Sequence, residues 1–348
     1  MQYQLLGNSG LRVSELCLGT MTFGQGRGAD FETCQQMFEI FAEAGGNFID
    51  TANLYTNGTS EQYVGQLVAK ERDHWVVATK YTFNTAGDIN TGGNHRKNMV
   101  QAVEASLKRL QLDYLDILWL HAWDFTTPVA EVMRAFDDLV SAGKVLYIGV
   151  SDTPAWVIAQ ANTLASLRGW TSFIGLQIEY SLRQRTPDRE LLPMAAAMHL
   201  GITAWSPLGG GVLTGKYNQE TPTTGRLSDP DALVKIEQRD LDIAALVLQI
   251  AAEIDRSPAQ VALNWIRQQP SGIIPILGAR NPEQLLDNLG CLAFTLAPKH
   301  IQQLNQVSQV SLGFPHDLLR SSRVQDLAFG GTLKSLKKSG TSARESST

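Results

Sequence analysis

Residues 114–151 read YLDILWLHAWDFTTPVAEVMRAFDDLVSAGKVLYIGVS, and the order of patterns within them decides the fold. YLDILWL (114–120) is a short apolar run of strand length. A helical pattern over 129–142 follows, ended by Gly143 in the manner of a C-terminal glycine, and VLYIGVS (145–151) is a second apolar run. Strand, helix and strand in this order make a parallel crossover unit. The same alternation extends in both directions. Toward the N-terminus lie apolar runs at 15–19, 47–50 and 75–80, each followed by a predicted helix: 31–44, with Met37, Ile40 and Phe41 on one face, then 60–69 and 98–110. Toward the C-terminus, Pro154 opens a helix, and further runs stand at 172–180, 202–206 and 272–278.

Eight such runs predict an α/β fold, a closed (β/α)8 barrel. A doubly wound open sheet also alternates strand and helix. It would want GxGxxG directly after its first strand, which GTMTFG (19–24) does not supply. Residues 3–5 and 11–13, joined through Gly7-Asn8-Ser9-Gly10, read as an N-terminal hairpin. The Gly-, Thr- and Pro-rich stretch from Leu208 to about Arg239 is long for a barrel connection and reads as a lid or binding loop. A helix over 299–310 lies outside the eight units. We expect one domain over 1–330 and a disordered polar tail over 331–348.

Composition narrows the function classes. With 348 residues, 43% hydrophobic and 18% charged, the chain has the make-up of an ordinary soluble globular protein. A net charge of -5 argues against a nucleic-acid partner, which would ask for a basic stripe. The N-terminus lacks a signal-peptide pattern, and no apolar run approaches the ~18 residues of a membrane helix. Cys17, Cys34 and Cys291 show no CxxC spacing, which suits a reducing compartment. A cytoplasmic location is the expectation.

A (β/α)8 barrel builds its active site at the C-terminal rim of its strands. Asp50 ends the second run, Lys80 the third and His121 the fourth, and Tyr55 follows Asp50 by five residues. Singly, these residues read as a cap, a surface lysine, a satisfied histidine and a rim tyrosine. Together they suggest proton transfer. A phenol with a pKa near ~10 is a poor acid at neutral pH, and a neighbouring ammonium lowers it. Lys80 could supply that ammonium, Asp50 its counter-charge, and His121 a hydrogen bond to a bound carbonyl.

The segments FIDTANLY (48–55), VVATK (76–80), LDYLDILWLHAWD (112–124), GKVLYIGVSD (143–152), LQIEYSL (176–182), AWSPLGGGVLTGKY (204–217) and ILGARNPEQLLDN (276–288) resemble, in order, those of the aldo-keto reductases. The resemblance extends to about residue 315. It implies a barrel closed at the bottom by the hairpin, and it places the family's catalytic tetrad on Asp50, Tyr55, Lys80 and His121. It further implies reduction of an aldehyde or ketone by hydride transfer from NADPH, without a metal and with Tyr55 as proton donor.

The same resemblance sets the cofactor contacts. Thr20, Met21 and Asp50 would lie beside the ribose and nicotinamide, with Ser151, Asp152 and Gln177 around the carboxamide. Trp205 would stack on the nicotinamide. Many relatives have Asn at the position of Asp152 and Tyr at that of Trp205; an ionised Asp can only accept hydrogen bonds. Ser206, Leu208, Gly210 and Lys216 would hold the pyrophosphate, with Arg226 closing over it. Gly278 and Arg280 lead into a helix whose N-terminus suits a phosphate, and Arg280 suits the 2'-phosphate of NADPH. Gln284 and Asn288 would meet the adenine. Phe23 and Trp123, with Tyr55 and His121, would form the substrate pocket. Two other readings of such a site are an NAD-linked alcohol or sugar dehydrogenase and a nicotinamide-sensing accessory subunit. Oligomeric state is not legible in the sequence.

Overall fold

The alternation of runs closes into a barrel. A computed structural model describes residues 1–24, 28–218 and 235–336. An antiparallel hairpin, β1 (Tyr3–Leu5) and β2 (Arg12–Ser14), precedes the strands β3 (Cys17–Gly19), β4 (Phe48–Asp50), β5 (Val76–Tyr81), β6 (Leu115–Leu120), β7 (Val145–Ser151), β8 (Gly175–Glu179), β9 (Gly201–Trp205) and β10 (Ile274–Leu277). These eight pair in parallel in the order β10-β3-β4-β5-β6-β7-β8-β9 and close on themselves.

Helices cover the outside: α1 (Phe31–Glu43), α2 (Thr59–Val68), α3 (Arg96–Leu110), α4 (Val129–Ser141), α5 (Ala155–Arg168), α6 (Leu191–Ala197), α7 (Gln238–Glu253), α8 (Pro258–Arg267) and α9 (Pro282–Leu289), with α10 (Pro298–Ser308) following the eight units. Local chemistry fixes their ends. Asp30 accepts from Thr33 N at 2.9 Å to start α1, and Asn281 accepts from Gln284 N at 2.9 Å, with Pro282 in the first turn, to start α9. Gly169 stops α5 in the left-handed conformation, φ 66°. No helix among the described residues is long and apolar enough to cross a membrane.

Side-chain parity along the strands explains where the polar residues point. Successive residues of a strand face opposite sides. Phe48, Val76, Ala78, Ile117, Trp119, Ile274 and Ile276 form one buried cluster with Leu6 and Val13 of the hairpin segment, and this is the barrel interior. Counting on by two from these residues reaches Asp50, Lys80 and His121. A Cβ on Gly149 or Gly175 would lie 2.2 Å or 2.9 Å from the Trp119 ring, so both glycines make room for that indole. Counting on from them reaches Ser151 and Gln177. The polar groups are thus the last inward layer of an otherwise apolar barrel. At the opposite end, a Cβ on Gly7 would stand 2.1 Å from Ile174 O and 2.6 Å from Gly201 N. The turn of the hairpin therefore seals the N-terminal ends of β8 and β9.

The barrel unit spans Met1–Gln309, and Val310–Thr348 forms a second compact unit. Within the second unit two further helices, α11 (His316–Arg320) and α12 (Ser322–Phe329), contact each other. Ser321 Oγ accepts from Val324 N at 3.4 Å to begin α12. Of the expected tail, Leu333–Ser335 forms a short 3-10 turn, and 337–348 lie outside the described residues. So do 219–234 of the expected lid.

Candidate active site

The four residues expected to act together meet at the C-terminal rim. Asp50 is the last residue of β4, and Lys80 sits one residue before the end of β5. Lys80 is 1% exposed. Its Nζ donates to Asp50 Oδ2, to Thr51 O at 2.9 Å and to Tyr55 Oη at 3.1 Å. Three acceptors satisfy the three ammonium protons. Tyr55 is brought back over the rim by a tight 3-10 turn (Tyr55–Gly58) in which Thr56, Asn57 and Gly58 all have positive φ. The His121 ring lies edge-on to Tyr55, with centroids 6.2 Å apart.

The electrostatics assign the protonation states. Burial works to lower the Lys80 pKa, but the Asp50 carboxylate and Tyr55 outweigh it, so the ammonium is held above its ordinary range. For Tyr55, burial raises the pKa, and Asp50 adds to it, against the lowering by Lys80. The net direction is upward. Lys80 pulls in the expected direction, but removing the phenolate from water costs more than the ammonium returns. Burial, reinforced by Lys80, pushes His121 down to about 2. A neutral imidazole therefore faces a neutral phenol, and His121 Nδ1 is buried with no hydrogen-bond partner among the described residues.

The remaining expected residues divide. Gln177 Nε2 donates to Asp50 Oδ1 at 3.0 Å. Asp152, at φ 37°, accepts from Trp205 Nε1 at 3.0 Å, so the Asp and the Trp act as a pair. Burial raises the Asp152 pKa against the Trp205 hydrogen bond. Ser151 Oγ is buried without a hydrogen-bond partner among the described residues. Thr20 is fully buried and donates to Asp50 O at 3.0 Å, whereas Met21 is 43% exposed.

Ser206 Oγ accepts from Gly210 N at 3.2 Å. Leu208 precedes Gly209, Gly210 and Gly211, which all take positive φ, and a Cβ on Gly211 would stand 2.8 Å from Lys216 Nζ. The loop thus folds so that the lysine crosses bare backbone. Gly278 has open space where a Cβ would be. Arg280 N donates to Gln284 Oε1 at 3.0 Å, and Asn288, buried, donates to Gly278 O at 3.4 Å. Arg226 lies outside the described residues.

The two expected pocket aromatics part company. Trp123 is half-buried and packs against the core between barrel and helices, its N donating to Asp152 O at 3.4 Å. Phe23 is 1% exposed and belongs to the hydrophobic core between barrel and helices. It is therefore withdrawn as a pocket wall, since a buried ring offers no surface to a substrate. The sequence reading missed Phe83, whose ring lies 4.6 Å from that of His121 and is 43% exposed. Its position three residues beyond Lys80 was the available signal.

The model of the aldo/keto reductase family matches residues 15–309. The chain belongs to this family. It is 35% identical over 345 residues to norsolorinic acid reductase of Aspergillus flavus, covering 95% of this chain and 87% of the relative. It is 34% identical to aryl-alcohol dehydrogenase GME11368 of Pestalotiopsis microspora, covering 95% and 86% of the two chains. It is also 35% identical to aldo-keto reductase ausK of Aspergillus calidoustus, over 91% and 85%. As a member of this family, the aldo-keto reductase described here is an oxidoreductase acting on carbonyl groups.

Proposed function

We propose that this aldo-keto reductase converts an aldehyde or ketone to the alcohol with NADPH, Tyr55 donating the proton. The observation that carries the reading is the position of Lys80 Nζ, bonded at once to the Asp50 carboxylate and to Tyr55 Oη. The reduced nicotinamide, when bound, supplies a hydride to the carbonyl carbon. Tyr55 gives its proton to the carbonyl oxygen and becomes a phenolate, which the Lys80 ammonium stabilises at that moment. Asp50 keeps Lys80 charged. His121, neutral, donates one hydrogen bond and orients the carbonyl.

The residues present fit the cofactor. The unpartnered Ser151 Oγ can bond the carboxamide, with Gln177 and Asp152 beside it, and Trp205 offers its indole face. The bare backbone at Gly209–Gly211 with Lys216 suits a pyrophosphate. Arg280, ahead of α9, suits the 2'-phosphate. Phe83 beside His121 favours an aryl carbonyl, in keeping with the name of the aryl-alcohol relative.

The test mixes purified protein with NADPH and 4-nitrobenzaldehyde and follows nicotinamide absorbance. Wild type should turn over, and Tyr55→Phe should lose about 100-fold or more in kcat. Turnover unchanged in Tyr55→Phe would remove the phenol as acid. An inert wild type whose tryptophan fluorescence NADPH still quenches would favour a sensing role.

A further inference from the structure

Where β6 ends, His121-Ala122-Trp123-Asp124 runs beside the loop that follows β5. Asn94 of that loop is fully buried. Its Oδ1 accepts from Asp124 N at 2.7 Å, and its Nδ2 donates to Thr82 Oγ1 and to Ala122 O, each at 2.9 Å. In return, Asn94 N donates to Asp124 Oδ2 at 2.7 Å. The two residues are therefore reciprocally bonded, side chain to backbone in both directions. Asp124 Oδ1 also accepts from Thr126 N at 2.8 Å and Thr127 N at 2.9 Å, and Oδ2 from Thr127 Oγ1 at 2.7 Å. Gly93, at φ 87°, permits the close approach: a Cβ there would stand 3.1 Å from Asp124 Oδ2.

This staple bears on His121 for a specific reason. No hydrogen bond at Nδ1 fixes the ring, so its aim depends on its backbone and on the flanking rings. The backbone N of His121 donates to Tyr81 O at 3.1 Å and to Thr82 Oγ1 at 3.3 Å, the same hydroxyl that Asn94 holds. Beyond His121, Ala122 O and Asp124 N are both bonded to the Asn94 amide, with Trp123 N on Asp152 O between them. We propose that Asn94 and Asp124 are positioning residues which, acting through the His121 backbone, set the direction in which the imidazole meets the substrate carbonyl. The proposal rests on the reading of His121 as the group that orients that carbonyl.

The experiment compares Asn94→Ala, Asp124→Ala, Asp124→Asn and Thr82→Val with wild type. Two readouts are used besides turnover: NADPH dissociation constants from tryptophan quenching, and NMR titration of the His121 ring in the cofactor-free protein. Wild type should show no His121 titration above about pH 4. In Asn94→Ala the ring, freed into water, should titrate nearer its ordinary value. The same variant should lose about 100-fold in kcat/KM for 4-nitrobenzaldehyde, the scale of an ångström's misplacement, with NADPH affinity within roughly twofold of wild type.

Asp124→Asn keeps the Oδ1 acceptor for Thr126 and Thr127 and should recover part of what Asp124→Ala loses. A fall in thermal midpoint alone, with kcat/KM and the His121 titration unchanged, would overturn the proposal. Should Asn94→Ala not fold, Thr82→Val and Asp124→Asn decide on the same readouts. If Tyr55→Phe leaves turnover intact while the His121 titration moves in Asn94→Ala, the reaction assignment fails and the staple stands.

Discussion

His121 is held neutral by its surroundings, because burial removes its hydration and Lys80 repels a second positive charge, leaving its pKa at about 2. The unfolded chain would protonate the same ring below about 6.5. A group whose folded pKa is depressed contributes stability that is complete above the unfolded value and declines as pH falls toward the folded one. The window therefore runs downward from about pH 6.5. His121→Gln should flatten the pH dependence: wild type should lose up to about 1.4 kcal/mol more per pH unit than the variant below that point. Denaturant midpoints measured at several pH values from neutral downward check it, and parallel slopes would mean that the ring is solvated. Asp50, Lys80 and His121 were legible because a strand has a two-residue period and each closes an inward-facing series. Phe83, Asn94 and Asp124 were not, since their roles depend on how two loops meet, and loops have no period.

At the scale of elements, the strands were read more accurately than the helices between β9 and β10. The eight apolar runs stand where the barrel strands stand, but α7 and α8 were passed over beside the composition of the preceding Gly-rich segment. Their signal was present, since Ile243, Val247 and Ile250 recur at helical spacing and are buried. In the proposed reading, the loop and helix after β10 carry the cofactor preference. Arg280 brings a permanently charged guanidinium to the segment before α9, where free amides also favour an anion. Arg280→Ala should therefore weaken NADPH by about 10-fold or more while leaving NADH nearly unchanged. Fluorescence titrations with both cofactors read this directly. Equal loss for the two would place the guanidinium away from the 2'-phosphate.

The whole barrel separates sealing from chemistry, one at each end. The hairpin turn lies against the starts of β8 and β9, while Asp50, Lys80, His121, Ser151 and Trp205 lie at or next to strand C-terminal ends. Between them stand the interior layers built on Trp119, for which Gly149 and Gly175 give up their side chains. This division was visible in the sequence as a hairpin before the first run and polar residues after the later ones. The helices α11 and α12 were not, because each is too short to show a helical period. The separation makes a distinct prediction for Leu6, which is fully buried in the same cluster as Trp119. Leu6→Ala opens a cavity under the barrel floor and should cost about 2–5 kcal/mol of stability. Its effect on kcat should be small, because apolar layers separate floor and rim and, among the described residues, no hydrogen bond joins Leu6 to the tetrad. Urea unfolding and steady-state kinetics on the same preparation test both halves. A large fall in kcat with intact folding would show that the floor and the rim are coupled after all.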